Sequence, residues 1–261
     1  MNFSKIAINL VMLFCTFYLA SSKELVELNS RNLITLRGPI KHETVSDFLN
    51  KTSKIDSDEI YIYISSPGGS VMEGMKIVDV INALHKSGKK VNCISDFSAS
   101  MAFIILQSCP VRYATFSSVL MQHQMSLGLE GNLENVKSYL EFIDNVDDEL
   151  NRMQAVKIGM SEKDFKNKVM SDWWIHGPDA KNNGVVDDIV VVKCHQELSG
   201  QFDIMTVSTI FGPIKLVYDK CPLSRYPVRV EYKGKVKQES LYKEELQQWF
   251  NYKQPIFQLN Y

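Results

Sequence analysis

Between residues 32 and 192 the chain changes its hydrophobic period again and again. Stretches that alternate residue by residue give way to stretches with apolar residues three and four apart. This limits the fold more than any other feature. Strands alternating with helices imply an α/β fold, with a largely parallel inner sheet covered by helices. Strands are predicted at 32–37, 59–65, 90–95, 112–114, 118–122, 172–175 and 185–192. Helices are predicted at 43–51, 71–86, 98–107, 133–158, 161–169 and 178–183. After residue 198 the pattern differs: antiparallel strands are predicted at 202–208, 214–218 and 228–232, and a helix at 240–250.

A chain of 261 residues suits one domain of about 150–200 residues with an extension. Its net charge is −1 and its lysines are dispersed among acids, so nothing points to nucleic acid. At the N-terminus Lys5 precedes the apolar run IAINLVMLFCTFYLA, residues 6–20, and then Ser21 and Ser22. A positive start, a short apolar stretch and small residues at its end read as an export signal cleaved after Ser22. The run would also suit an uncleaved membrane anchor or a buried first helix. Either a signal or an anchor puts the protein outside the cytoplasm, periplasmic or secreted, or anchored by residues 6–20. The expected division is a signal or anchor at 1–22, a main domain at 23–198 and an extension at 199–261. Cleavage removes Cys15 and leaves Cys93, Cys109, Cys194 and Cys221, which allow three connectivities. Cys93, within an apolar strand, is expected to be a buried thiol. A Cys194–Cys221 bridge would tie the extension to the main domain.

Two short segments carry candidate chemistry. SSPGGSV, residues 65–71, joins a strand to a helix. Its glycines permit backbone angles closed to other residues and leave main-chain N–H groups bare at a helix start. The plain reading is a tight turn. SDFSASM, residues 95–101, is a second junction of the same kind. Ser98 fits a helix cap, whereas Ser100 comes too late and faces the apolar run. A nucleophilic serine there gains from the helix N-terminus and from the N–H of Met101. Acyl transfer needs a second N–H donor, which the glycine turn could supply. Of the five histidines, His123 follows a strand and lies at a carboxyl end, where α/β sheets gather ligands. Asp172, just before Trp173 and Trp174, is the candidate to orient the imidazole and is expected to be partly buried. Taken singly, His123 also reads as a packing residue and Asp172 as a surface acid.

SSPGGSV, SASMAFIIL, VLMQHQ and DWWIHGPDAKNNGVVDDI stand in an order and at intervals that resemble the proteolytic subunit of the Clp protease, a crotonase-like serine peptidase family. The resemblance covers about residues 32–192. It implies a spiral of ββα units with a protruding handle helix, here at 131–158, which pairs rings of seven subunits. It implies Ser100 as nucleophile, His123 as general base and Asp172 as the third triad member. Gly69 and Met101 would be the oxyanion donors. A peptide or unfolded protein would lie along the glycine segment, against Gly68, Ser70 and Val71. No metal or organic cofactor is implied.

The chain also departs from this pattern. Only about ten residues separate the expected signal from Asn32, where the family usually has an axial loop and a helix. Phe97 stands where small residues are usual and would narrow the site. Export would separate the protein from a cytosolic ATPase partner. The extension matches nothing in the family and could cover an ATPase-docking face or block assembly. Exported relatives of the wider clan use a serine–lysine dyad, for which Lys137 is the candidate. The same fold would also serve a crotonase-type acyl-thioester enzyme or a catalytically inactive scaffold. The handle's apolar residues Leu133, Val136, Leu140, Phe142, Ile143, Val146 and Leu150 favour an oligomer.

Overall fold

The computed structural model describes residues 24–209, 212–232 and 235–236. The apolar segment 6–20 and the predicted helix 240–250 lie outside them.

In chain order, strand β1 (Leu25–Leu28) and β2 (Leu33–Arg37) precede helix α1 (His42–Thr52). Then come β3 (Glu59–Ser66), α2 (Val71–Lys86), β4 (Lys90–Ala99), α3 (Met101–Ser108) and β5 (Val111–Gln122). Helices α4 (Leu133–Ile158) and α5 (Glu162–Val169) are followed by β6 (Trp173–His176), α6 (Gly177–Asn182), β7 (Asp188–Ile189) and β8 (Val191–Cys194). The extension holds β9 (Phe202–Thr209), β10 (Gly212–Asp219), β11 (Arg229–Tyr232) and β12 (Lys235–Val236).

The main sheet runs β2-β3-β4-β5-β6, with β7 also on β5. β2 to β5 are mutually parallel and β6 is antiparallel, so the mixed α/β expectation holds. The alternation in EIYIYI explains how the sheet packs. Ile60, Ile62 and Ile64 point to the helix-covered side and join a core with Phe48, Ile77, Ile81 and Phe103. Tyr61 and Tyr63 point the other way, into a second cluster with Val26, Leu28, Ile94 and Leu198. Both faces are buried, as befits a largely parallel sheet. Each fully buried isoleucine contributes about 1.5–3 kcal/mol of transfer free energy.

Several elements differ from the sequence reading. β4 continues through Ala99, so Ser98 is a buried strand residue whose hydroxyl meets Ser95 Oγ at 2.7 Å, and the helix starts only at Met101. The two short strands expected at 112–114 and 118–122 are one strand, β5, with an irregular register between them. The single strand expected at 185–192 is two. Val185 and Val186 close the α6 turn through bonds to the Ala180 carbonyl, and Val191 leaves the main sheet to pair with β1. β1 itself, four residues with only alternate burial, is too short to show a period. Cys93 is not a free thiol but is bridged to Cys109. The register explains this: Asn92 pairs with Val111, which brings the end of α3 back beside the start of β4. Cys194 and Cys221 are bridged as expected.

Just before β7, Asp187 accepts from the Arg112 N–H at 2.7 Å and pairs with its guanidinium, which is only 6% exposed. Burial raises the Asp187 carboxyl, but the hydrogen bonds and charge of Arg112 outweigh it and hold the group below its ordinary value. The stability this gives is complete above the unfolded value, about 3.9. It is lost as pH falls through the lower folded value. Asp187→Asn is therefore expected to lower Tm at neutral pH, with the gap to the parent closing as pH falls below the ordinary carboxylate range. A pH-independent gap in a series of thermal melts would refute this.

The described part of the extension is a four-stranded antiparallel sheet, β12-β11-β10-β9, laid against the tyrosine-bearing side of the main sheet. Cys221 packs on the apolar cluster there, and further contacts are polar. Arg37, buried at the end of β2, donates to the Asp219 carbonyl at 2.8 Å and lies over the Tyr218 ring. Lys51 pairs with Asp203, and Arg225 with Asp96.

Candidate active site

β3 ends at Ser66 and β4 at Ala99, neighbouring parallel strands whose carboxyl ends lie side by side. Each feeds a helix, so two helix N-termini meet at one place. Gly68 is the point of closest approach. It has φ +88°, and a Cβ there would stand 2.5 Å from the Ala99 carbonyl oxygen, 2.7 Å from Ser100 Cβ and 2.8 Å from the Met101 nitrogen. Only glycine fits both that angle and that space.

Ser100 occupies the position before the first helical residue, yet its side chain makes no capping bond. Its φ of 56° and ψ of −124° make it the one non-glycine with positive φ among the described residues. Such a conformation costs about 1–3 kcal/mol and persists where surrounding bonds impose it. Here the Ser100 N–H donates to the Met121 carbonyl at 2.9 Å, while the Ser100 carbonyl accepts from Phe103. The Ser100 side chain is free of the helix it precedes, on a strained strand-to-helix turn of the kind on which nucleophilic serines are found, and the residue is half-buried.

Two donors adjoin it. Among the described residues neither the Met101 N–H nor the Gly69 N–H has an acceptor. Ile40 accounts for the other polar groups of the turn: its N–H donates to the Gly68 carbonyl at 2.8 Å and its carbonyl accepts from Ser70 at 2.9 Å. In an extended segment successive residues bond to opposite sides, so the Gly69 N–H faces away from Ile40. Of the three residues expected along a peptide, Gly68 and Ser70 thus already spend main-chain groups on Ile40. Ser70 also caps α2 by accepting from the Glu73 N–H. Val71 opens α2 and packs partly on the core.

His123 directly follows β5, two residues beyond the Met121 that receives the Ser100 N–H. It is half-buried. The β5–β6 ladder pairs Met121 with Trp174 and Gln122 with Trp173, so the next step places His123 opposite Asp172. The three residues therefore converge through the backbone. No hydrogen bond joins their side chains among the described residues. Catalytic hydrogen bonds in free enzymes are often long and tighten with substrate. Asp172 is exposed, contrary to the expectation of partial burial. The reason lies in Trp173, whose ring fills the interior against Phe103 and Phe165 and leaves the preceding carboxylate at the surface. Lys137 sits on an exposed face of α4, paired with Glu134.

Sequence reasoning missed the pocket beyond His123. A cavity of about 320 Å³ lies between the 124–127 segment, α4 and α5. Met125, Leu127, Ile143, Val169 and Met170 give it apolar walls, and Asp144, Asp147 and Asn151 a polar rim. Burial, with the neighbouring charges of Asp148 and Asp144, raises the Asp147 carboxyl despite the Asn151 hydrogen bond. The one signal in the sequence is the apolar stripe of α4, and such a stripe suits an assembly face as well as a pocket wall.

The family model of the Clp protease matches residues 20–193. The match takes in β1 to β7, both glycine and serine turns, His123 and Asp172, and it stops before the extension. Members of that family are peptidases and generally form oligomeric rings. By this match over most of its length, the chain belongs to the Clp protease family.

Proposed function

We propose that the protein is a serine endopeptidase that works through an acyl-enzyme. His123 takes the Ser100 proton as Ser100 Oγ attacks the peptide carbonyl. The developing oxyanion accepts from the N–H groups of Gly69 and Met101. His123 then protonates the leaving amine, and water releases the acyl group. Asp172 orients the imidazole from the surface. The carrying observation is the strained Ser100 beside two unspent N–H donors, a device with no evident structural use. The apolar pocket beside His123 receives a substrate side chain next to the scissile bond.

The substrate is a peptide or unfolded polypeptide. The exposed Leu133, Tyr139, Leu140 and Phe142 on α4 support assembly of several copies through that helix. Two disulfides support an exported protein, since such bonds persist in oxidising compartments. Export would separate the protein from a cytosolic ATPase.

The test is labelling of the purified full chain with a fluorophosphonate, which reacts readily only with an activated serine. Labelling is expected in the wild type and absent in Ser100→Ala. In His123→Ala it should fall by roughly 100-fold or more. Asp172→Asn should lose only about 10-fold, because a solvated carboxylate orients its histidine less firmly than a buried one. A folded wild type that does not label, or that labels equally without Ser100, overturns the reading.

A further inference from the structure

Among the described residues, the extension reaches the candidate site through Arg225. Arg225 lies in the loop between β10 and β11, four residues after the bridged Cys221. Its Nε donates to Asp96 Oδ2 at 2.9 Å and its Nη2 to Oδ1 at 3.1 Å, a two-pronged pair. The same Nη2 reaches the Asp96 carbonyl at 3.3 Å, and the guanidinium lies over the Phe97 ring at 5.2 Å. Ser65 Oγ donates to Asp96 Oδ2 from the neighbouring strand at 3.0 Å.

Asp96 is the extra residue of a β-bulge. Against β3 the register goes from Ile64↔Ser95 to Ser65↔Phe97, so the extra residue is on β4; against β5 it goes from Ser95↔Ala114 to Phe97↔Val119, so there β5 has the excess, with residues 115–118 facing Asp96 alone. Asp96 is missing from both ladders. A bulge re-aims the strand beyond it, and a slip of one residue would turn every following side chain to the opposite face. The strand beyond this bulge is Phe97–Ser98–Ala99, and then Ser100. The Ser100 N–H donates to Met121 in the register that follows this irregularity, in which Asp96 and residues 115–118 of β5 both take part. The bulge is held by Ser65 on one side and by Arg225 on the other.

From these contacts we propose that Arg225 is a positioning residue for the candidate nucleophile, so that the extension is a working part of the active site and not an appended domain. The proposal rests on the reading of Ser100 as nucleophile. A cation fork on Asp96 fixes where the bulge sits, and the flat stack on Phe97 holds the residue that follows it. The Cys194–Cys221 bridge keeps the loop in reach.

The experiment compares the full chain with Arg225→Ala, Arg225→Met and Arg225→Lys. Two readouts are taken: the rate of Ser100-dependent fluorophosphonate labelling and hydrogen exchange of the amides at 96–104. Arg225→Ala and Arg225→Met are expected to label roughly 10- to 100-fold more slowly, with faster exchange at 96–104. Met keeps the apolar stem over Phe97 and provides a folded variant if Ala does not fold. Lys restores the charge without the fork and should recover only part of the rate. A tether alone would alter exchange in the 220–228 loop and leave labelling untouched. Wild-type labelling rates in Arg225→Met, or unchanged exchange at 96–104, overturn the proposal while the peptidase reading stands. Absence of Ser100-dependent labelling in the wild type overturns that reading and the positioning role together.

Discussion

Gly68→Ala is expected to abolish fluorophosphonate labelling, by at least roughly 100-fold, and to lower stability by about 3 kcal/mol. Two costs combine. A side chain at φ +88° is strained by about 1–2 kcal/mol. The added methyl must also displace the Ala99 carbonyl, Ser100 Cβ or the Met101 nitrogen, all of them within 2.8 Å. None is the far end of a flexible side chain. Overpacking of this kind costs about 1–3 kcal/mol. Whichever neighbour yields, the relation between Ser100 and the donor of Met101 changes, so activity falls further than stability alone predicts. Gly200→Ala separates the two costs. Gly200 has φ +72°, and its Cβ would meet nothing within 4 Å. It should lose only about 1 kcal/mol and keep full labelling. Equal losses in the two variants, by thermal melts and labelling rate, would show that the close approach at Gly68 is immaterial.

The Gly68 contact shows what a sequence discloses about such a site. Two strand–turn–helix junctions, one rich in glycine and one in serine, are legible because each breaks the hydrophobic period on either side. That Ser100 and not Ser98 is the candidate follows from the apolar run after it. The physical basis does not, because strain at Ser100 arises from the partner strand β5 and the turn at Gly68, both distant in sequence. The opposition of His123 and Asp172 depends on an antiparallel register, which no local pattern encodes. The exposure of Asp172 runs against what two adjacent tryptophans suggest. One aromatic ring can fill the core while its neighbour's side chain points out, since successive residues of a strand face opposite sides.

The fold is legible where elements are long. The 26-residue α4 and the 16-residue α2 match their expected bounds, because many turns of one apolar stripe average out local irregularity. Short elements are not. β1 owes its existence to β8, and β7 and β8 separate because the Val190 N–H bonds to Ala114 on β5 while the Val191 N–H bonds to Glu24. The extension's strands are readable by alternation. Its docking is not, since it rests on single polar residues scattered along the chain: Arg37, Asp96, Asp203 and Arg225.

Among the described residues those polar contacts are few, and the Cys194–Cys221 bridge adds a covalent restraint to them. The double variant Cys194→Ser/Cys221→Ser is expected to lose about 3–4 kcal/mol for a loop with a sequence separation of 27. The loss should be local. The main domain retains its own large core and the Cys93–Cys109 bridge. The extension's cluster is small, built around Val207, Leu216, Tyr218 and Val230. Without the bridge its attachment depends on Arg37, Lys51 and Arg225, and Arg37 must then be desolvated at a looser interface. Burial already lowers the Arg37 guanidinium, with Asp203 and Tyr218 opposing the shift. Two of its nitrogens have no partner among the described residues, so its docking is poorly compensated. The variant should therefore open at the extension first. Limited proteolysis followed by mass spectrometry should give cuts within 199–232 and a resistant fragment ending near residue 198, before any loss of the main domain's secondary structure. Cys93→Ala/Cys109→Ala should instead weaken the whole molecule, because both residues lie in the main core. If the first variant melts in one step with no such fragment, the two sheets form a single cooperative unit. The polar contacts, Arg225 on Asp96 foremost, would then couple the extension to the β4 bulge more tightly than the covalent bridge does.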